Sequence, residues 1–350
     1  MASTLSIISL PDNRWDAFVH QHPDGTIFHT SNWARVIQNT YGYEPSFLVC
    51  EVDGIIRAGI PFFLVKNGFG HTRLVCLPFT DECKPLFNTH KDLENDISKL
   101  MEMSQEGIVN DIEIRGSNID LSQKFDFKPY SYYKLFRLNI DCELDVLWKN
   151  FKQKSIRYPI KKAQRYGIKI VKSVKSVDME IFYRLNLLTR RKHGVIPQPY
   201  RFFKNILTEI FNQGLGFLLI AQYNRKPIGA SIFFTFKNTI YHKFNASDAN
   251  YLEYQPNHLI LWHAIQWAVE NGYKTLDLGR TSPDNHGLMA YKKHWGAEEI
   301  DLPYYYWPEI KGASATKESS NKYRIASSVL RKMPISILRI SGNLLYKYFG

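Results

Sequence analysis

The stretch Thr275–Trp307, TLDLGRTSPDNHGLMAYKKHWGAEEIDLPYYYW, decides how this chain folds. It opens as a short apolar strand, Thr275 to Leu278, and breaks at Gly279. It then strings Arg280, Ser282, Asp284 and Asn285 along a polar loop before a helix. Polar side chains gathered at the carboxyl end of a strand are how an α/β sheet opens a crevice to ligand while holding the loop rigid. Lys292 and Lys293 follow within a turn or two of that crevice.

Working upstream, the helix Asn257–Glu270 puts Leu261, Ile265 and Ala268 on one face and stops at Asn271-Gly272 with a left-handed cap signal. Before it come a strand, Thr239–Phe244, and a hairpin, FLLIAQYNRKPIGASIFFTF, Phe217–Phe236. The same hairpin pattern occurs earlier as FLVCEVDGIIRAGIPFFLV, Phe47–Val65, turning at Asp53-Gly54. Helices Trp33–Asn39 and Arg201–Phe211 precede the two hairpins. The repetition predicts a duplicated α/β protein (an α+β mixed sheet with helices on both faces), with domains over 1–145 and 146–310 and a tail over 311–350.

At 350 residues, 44% hydrophobic and 14% aromatic, the chain can bury a sizeable core divided between two domains. Its net charge of +12 points to a polyanionic partner such as nucleic acid, a phosphorylated precursor or an anionic membrane. Four cysteines with no CxxC spacing suit a reduced, cytosolic setting. The amino terminus has no basic lead-in and meets Asp12 early, so a signal peptide is not expected, and no stretch is apolar enough to span a bilayer. His20 and His22 sit in a turn and His258 and His263 are five apart, so no metal site is expected.

The strongest charge run is Lys149–Lys175, ten cations with no acidic residue, divided by Pro159. Arg157 and Lys161 within it are candidate phosphate contacts. Phe151, Tyr158 and Tyr166 are interspersed without an RNA-binding motif, which favours a phosphorylated substrate or lipid over nucleic-acid readout.

The order hairpin, strand, helix, strand, loop resembles the GNAT acyltransferase fold. The motif D-L-G-R-(x)6-G-L-(x)2-Y-K-K-x-W-G-A, Asp277–Ala297, resembles the FemABX branch of that superfamily. TRRKHGVIPQP, Thr189–Pro199, resembles a sub-branch of BioF2-like or FemAB-related acetyltransferases. FemABX proteins join two GNAT-like domains and move an amino acid from aminoacyl-tRNA to an amine of a peptidoglycan precursor. The resemblance therefore implies two tandem GNAT-like domains, the first degenerate and the second carrying the site. It implies acyl or aminoacyl transfer to an amine of a cell-envelope peptidoglycan or polysaccharide precursor, phosphorylated or lipid-linked, by a cytoplasmic enzyme. No cofactor is expected to be tightly bound; the donor is a co-substrate, whether aminoacyl-tRNA, acyl-CoA or acyl carrier protein. The chain departs from conventional GNAT proteins in the turn before Asn257, SDANYLEYQPNH, which has no glycine where CoA phosphates approach a helix end. It also has no counterpart of the long helical arm that some family members carry. The alternatives are an N-acetyltransferase using acetyl-CoA or a carrier protein, and a non-catalytic module binding anionic polysaccharide or membrane.

Acyl transfer to an amine places negative charge on the former carbonyl oxygen, which a cation or hydrogen-bond donors must meet. Lys292 matches the lysine of the family's F-K-K-x-F-G-like motif, with Tyr291 and Trp295 as its aromatics, and is the candidate. Arg280 and Ser282 are candidate substrate contacts, because an arginine past a strand end can fork onto a carboxylate or phosphate. Asp277 reads as a loop-pinning acceptor or a base. His193 is a candidate proton acceptor, with Arg191 and Gln198 as contacts beside it. In the first domain Trp33 and Arg35 stand where the Fem enzymes of cocci often carry a tryptophan followed by a lysine. Beyond Trp307, 309–322 reads as a polar linker. The stretch 323–350 reads as a basic amphipathic tail for the inner membrane surface, anchored by Leu330, Ile337, Leu338, Leu344 and Leu345, or as a tail packed on the first domain.

Overall fold

The computed structural model describes residues 4–10, 12–66, 71–309 and 321–349, so most of the linker at 309–322 lies outside the described residues. The elements run β1 (Thr4–Ile8), α1 (Asn13–Gln21), α2 (Ser31–Tyr41), β2 (Pro45–Val52), β3 (Ile55–Lys66), β4 (Thr72–Val75), β5 (Leu86–Phe87), α3 (His90–Gln105), β6 (Asp111–Arg115) and α4 (Leu121–Phe125). They continue with β7 (Lys128–Asn139), α5 (Leu144–Asn150), α6 (Tyr158–Arg165), β8 (Lys169–Ser173), α7 (Ser176–His193), α8 (Tyr200–Glu209), β9 (Gly216–Tyr223), β10 (Lys226–Phe236) and β11 (Thr239–Ser247). Last come α9 (Pro256–Glu270), β12 (Thr275–Thr281), α10 (His286–His294), β13 (Glu298–Trp307), α11 (Asn321–Lys332) and α12 (Ile335–Leu345).

The chain divides into two compact units, Met1–Tyr133 with Asp301–Ala315 and Lys347–Gly350, and Lys134–Ile300 with Thr316–Tyr346. The division falls before the 145/146 border read from sequence because β7 already pairs with β12 from Lys134 onward. The first unit also takes Tyr304–Trp307, which pair antiparallel with Arg115–Ile112.

The two units repeat one plan. Each has a hairpin closed by two residues of positive φ, Asp53-Gly54 in one and Asn224-Arg225 in the other, the turn whose twist matches that of paired strands. In each, a further strand then leads through a helix to a parallel neighbour. β4 pairs parallel with β6 over Arg73–Val75, and β11 pairs parallel with β12 over Thr239–Tyr241.

In the first unit α3 packs Leu93, Ile97 and Leu100 onto Leu48, Ile60, Phe62 and Ile112. Asp96, on the same helix, is also 0% exposed, and both its carboxylate oxygens are buried without a hydrogen-bond partner. Burial, then the charge of Asp92, pushes its carboxyl up to about 8. Beyond the short β4–β6 pairing, the segment after Val75 is stitched across the gap. Arg115 donates to the carbonyls of Leu77 and Thr80, the Cys83 amide donates to the Arg115 carbonyl, and Arg115 and Arg73 both pair with buried Glu113.

In the second unit α9 is the central helix. It buries Leu259, Ile260, Leu261, Trp262, Ala264, Ile265 and Ala268, apolar around most of its girth and not on one face alone. Trp295 and Phe233, both fully buried, complete this core. Pro159 is the second residue of α6, where its missing N–H costs nothing, and it follows a π turn at Gln153–Arg157. The tail helices α11 and α12 lie against α7 of this second unit.

Candidate active site

The site opens where β11 and β12 part. Their parallel pairing ends at Tyr241 and Asp277, although β11 runs on to Ser247 and β12 to Thr281. Against β7 the register of β12 slips between Asp277 and Arg280, and Gly279 takes a φ of 71°, which only glycine adopts at little cost.

That turn is held from both sides. Asp277 accepts from the Gly279 amide at 2.7 Å and from Arg137 Nε at 3.1 Å. Lys292, reaching back from α10 and only 5% exposed, donates to the carbonyls of Gly279 at 2.8 Å and Arg280 at 3.2 Å. A buried ammonium is tolerable because these oxygens replace its water. Its Nζ also stands 5.2 Å from the Phe136 ring centre. Ser282 is buried and accepts from the Asp284 amide, Asn285 caps α10 through Leu288, and the buried hydroxyl of Thr281 has no partner.

The facing strands supply groups that the sequence reading missed. Ser231 donates to Asn245 Oδ1 at 2.8 Å, and its Oγ lies 3.2 Å from His242 Nε2. A bulge between Ile232 and Phe233 brings Phe233 under the His242 ring at 4.9 Å between centres. Burial, reinforced by the charge of Lys292, pushes His242 down to about 3. At the start of α9, His258 is pushed down to about 4 by burial, against a hydrogen bond with the Ser155 backbone that favours its protonated form. His258 meets Tyr291 edge-on at 5.2 Å between centres. Gln255, φ 59°, fills the left-handed position before this helix, and its side chain makes no capping bond. Asn257 Oδ1 is buried there without a partner.

Both histidines bind protons more readily unfolded, so their contribution to stability is present above about pH 6.5 and is lost as pH falls toward 4 and 3. Proton-detected titration should find the His242 resonances unmoved between pH 5 and 8. Movement centred near 6.5 would mean that the imidazole is open to water.

Of the residues singled out from sequence, Lys292, Asp277, Arg280 and Ser282 meet on one turn. His193 belongs to a different cluster, at the end of α7. There partial desolvation and the cations Lys192, Arg190 and Arg331 hold it below its usual range. Arg191 is half-buried beside it, and Gln198 is buried with Oε1 unpartnered. Arg157 lies in the π turn with Nε buried and unpartnered, and exposed Lys161 lies over the Trp148 ring at 5.9 Å. Trp33 is fully buried in the first unit, donating to Thr80 Oγ1 at 2.8 Å, so it occupies a core position and not an open contact; Arg35 is half-buried on the same helix. Among the described residues no cluster of three or more His, Cys, Asp or Glu could hold a metal, and no helix is long and apolar enough to cross a membrane.

Residues 150–293 match the family model described as an acetyltransferase (GNAT) domain. The chain is 21% identical to a lipid II:glycine glycyltransferase of Staphylococcus epidermidis, covering 83% of this chain and 89% of that protein. A namesake from Staphylococcus saprophyticus is 20% identical over 96% of this chain and 99% of its own. Among solved structures, FemX superposes with a TM-score of 0.72 at 15% identity, covering 86% of this chain and 97% of that one. A tandem GNAT protein from the clavulanic acid pathway gives 0.56 at 10% identity, covering 87% and 98%. Residues 150–293 thus match a GNAT acetyltransferase domain, within a fold that resembles two tandem GNAT-like domains. Within that superfamily the chain is similar to proteins of the FemABX-related branch.

Proposed function

We propose that the protein transfers an aminoacyl group from a carrier ester to an amine of a lipid-linked peptidoglycan precursor. The observation that carries this reading is the opening between β11 and β12, with the buried Lys292 ammonium at its strand end and no glycine in the turn before α9. The named activity of the staphylococcal relatives supports the same acceptor class.

In this reading the neutral amine attacks the ester carbonyl carbon. The new C–N bond forms, negative charge collects on the carbonyl oxygen beside Lys292, and the C–O bond to the carrier breaks. The amine proton passes to the departing hydroxyl oxygen, since His242 at about 3 is too weak a base to take it. Asp277 is already engaged with Gly279 and Arg137 and holds the turn. Gln255 in place of glycine disfavours close approach of CoA phosphates and so favours a donor held in another way.

The test incubates purified protein and lipid-linked precursor with glycyl-tRNA or with acetyl-CoA and weighs the product by mass spectrometry. Aminoacylated precursor is the expected product. Acetylated precursor made only with acetyl-CoA would reassign the enzyme as an N-acetyltransferase.

A further inference from the structure

α11 and α12 present their side chains inside out. On α11 the buried residue is Ser327, whose backbone lies so close to Gly194 that a Cβ there would strike it. On α12 Gly342 is packed equally closely onto Pro197, and Leu338 is the large side chain fully buried. The bulky apolar residues point away. Ile325 is 68% exposed and Val329 59%, and at about 100° per residue both lie nearly opposite Ser327. Ile337, Ile340 and Leu344, 50%, 54% and 62% exposed, cluster on the side of α12 away from Leu338 and Gly342.

Helices docked on a protein in water normally bury such residues and show polar ones. Here Ser327 and Gly342 make the closest contacts, at Gly194 and Pro197, Leu338 is buried, and five large aliphatic residues face out. Between 321 and 346 the sequence carries Lys322, Arg324, Arg331, Lys332 and Arg339 and no Asp or Glu. Arg331 also adds its field to that of Arg190 and Lys192 around His193, so the positive surface continues onto the end of α7.

We propose that the outward face of α11 and α12 is a docking surface for an anionic lipid bilayer, with the aliphatic side chains in the interface and the cations on the headgroups. Helices of 12 and 11 residues reach about 18 and 16 Å, well short of a bilayer's hydrocarbon thickness, so they lie in the surface plane. The uniform positive charge favours anionic lipid over a second copy of the same face, which would set cation against cation. On this placement the basic cluster at Arg190–His193 serves the membrane and not the reacting groups. The proposal goes beyond the acceptor reading and does not depend on it.

The test is flotation of the full-length protein with vesicles of phosphatidylcholine alone or mixed with phosphatidylglycerol. The expected result is binding to the mixed vesicles that weakens with salt. Ile325→Glu, Ile340→Glu and Leu344→Glu combined should lower the partition coefficient at least about 100-fold. They should leave turnover on a water-soluble, lipid-free acceptor unchanged. Arg331→Gln, Lys332→Gln and Arg339→Gln combined, all at exposed positions, should lower binding to the anionic vesicles by roughly 100-fold and provide the test if the glutamate variant misfolds. Absence of binding by the wild type, or equal binding by the variants, overturns the proposal. So does a wild-type dimer that the glutamates dissociate without any change in lipid binding. Because flotation needs neither donor nor acceptor, its outcome is separate from that of the transferase assay.

Discussion

Replacing Lys292 with methionine should lower kcat by about 10²- to 10³-fold, the range seen when one well-placed oxyanion donor is removed, with little change in KM for the acceptor. Methionine keeps an unbranched stem one atom shorter and discards the charge. The same change strips the Gly279 and Arg280 carbonyls of a donor at about 1–3 kcal/mol for each oxygen left dry, so a lower melting temperature should accompany it. The two effects are separable by assaying well below the variant's melting point. Lys293→Met is the control, since that neighbour is exposed and pairs with Glu299. A Lys292→Met enzyme that is less stable but turns over normally would leave the lysine as a clamp on the turn and nothing more.

The second large effect is on stability. The Asp96 carboxyl, pushed up to about 8, keeps its proton in the folded protein far above the ordinary value of 3.8. The contribution of this carboxyl to stability is therefore greatest below 3.8. That contribution falls as pH rises toward 8 by about 1.4 kcal/mol per unit, on the order of 6 kcal/mol in all, and the loss stops above that pH. Asp96→Leu, branched at the same atom and free of charge, should remove this slope and raise the denaturation midpoint at pH 8. Equilibrium unfolding at pH 4.5 and pH 8 on both proteins measures it. Parallel pH dependence in wild type and variant would mean that the carboxylate finds water in the folded state.

Much of the architecture is written in local pattern. Asp53-Gly54 and the alternation around it announce one hairpin, and the strand–helix–strand order from Thr239 to Leu278 announces the parallel pair. The unit border is not local. Lys134–Asn139 leave the first unit to pair with β12, and Tyr304–Trp307 return to β6 from the far end of the chain. No periodicity in either segment records its partner. The turn at Gly279 was legible for the same reason as the hairpins, because a glycine between an aspartate and an arginine interrupts an apolar strand. Ser231, His242 and Asn245 were not. They lie in strands that read as ordinary, and it is the bulge at Ile232/Phe233 that sets Phe233 against His242. Trp33 misled in the opposite direction, since an indole on a helix reads alike whether it walls a pocket or fills a core.

The stitching of Arg115 across the first unit carries a consequence for how the two halves vary. Where the second unit leaves two strands apart, the first ties the same place shut with an arginine, a glutamate and a strap of backbone. A duplicated fold needs chemistry from one copy alone, and the other can spend the equivalent space on cohesion. A substitution at Arg115 is then expected to upset charge balance and burial, while one at Gly279 is expected, on the function proposed above, to act through the opening. The halves are alike in outline, yet different contacts hold the same place in each.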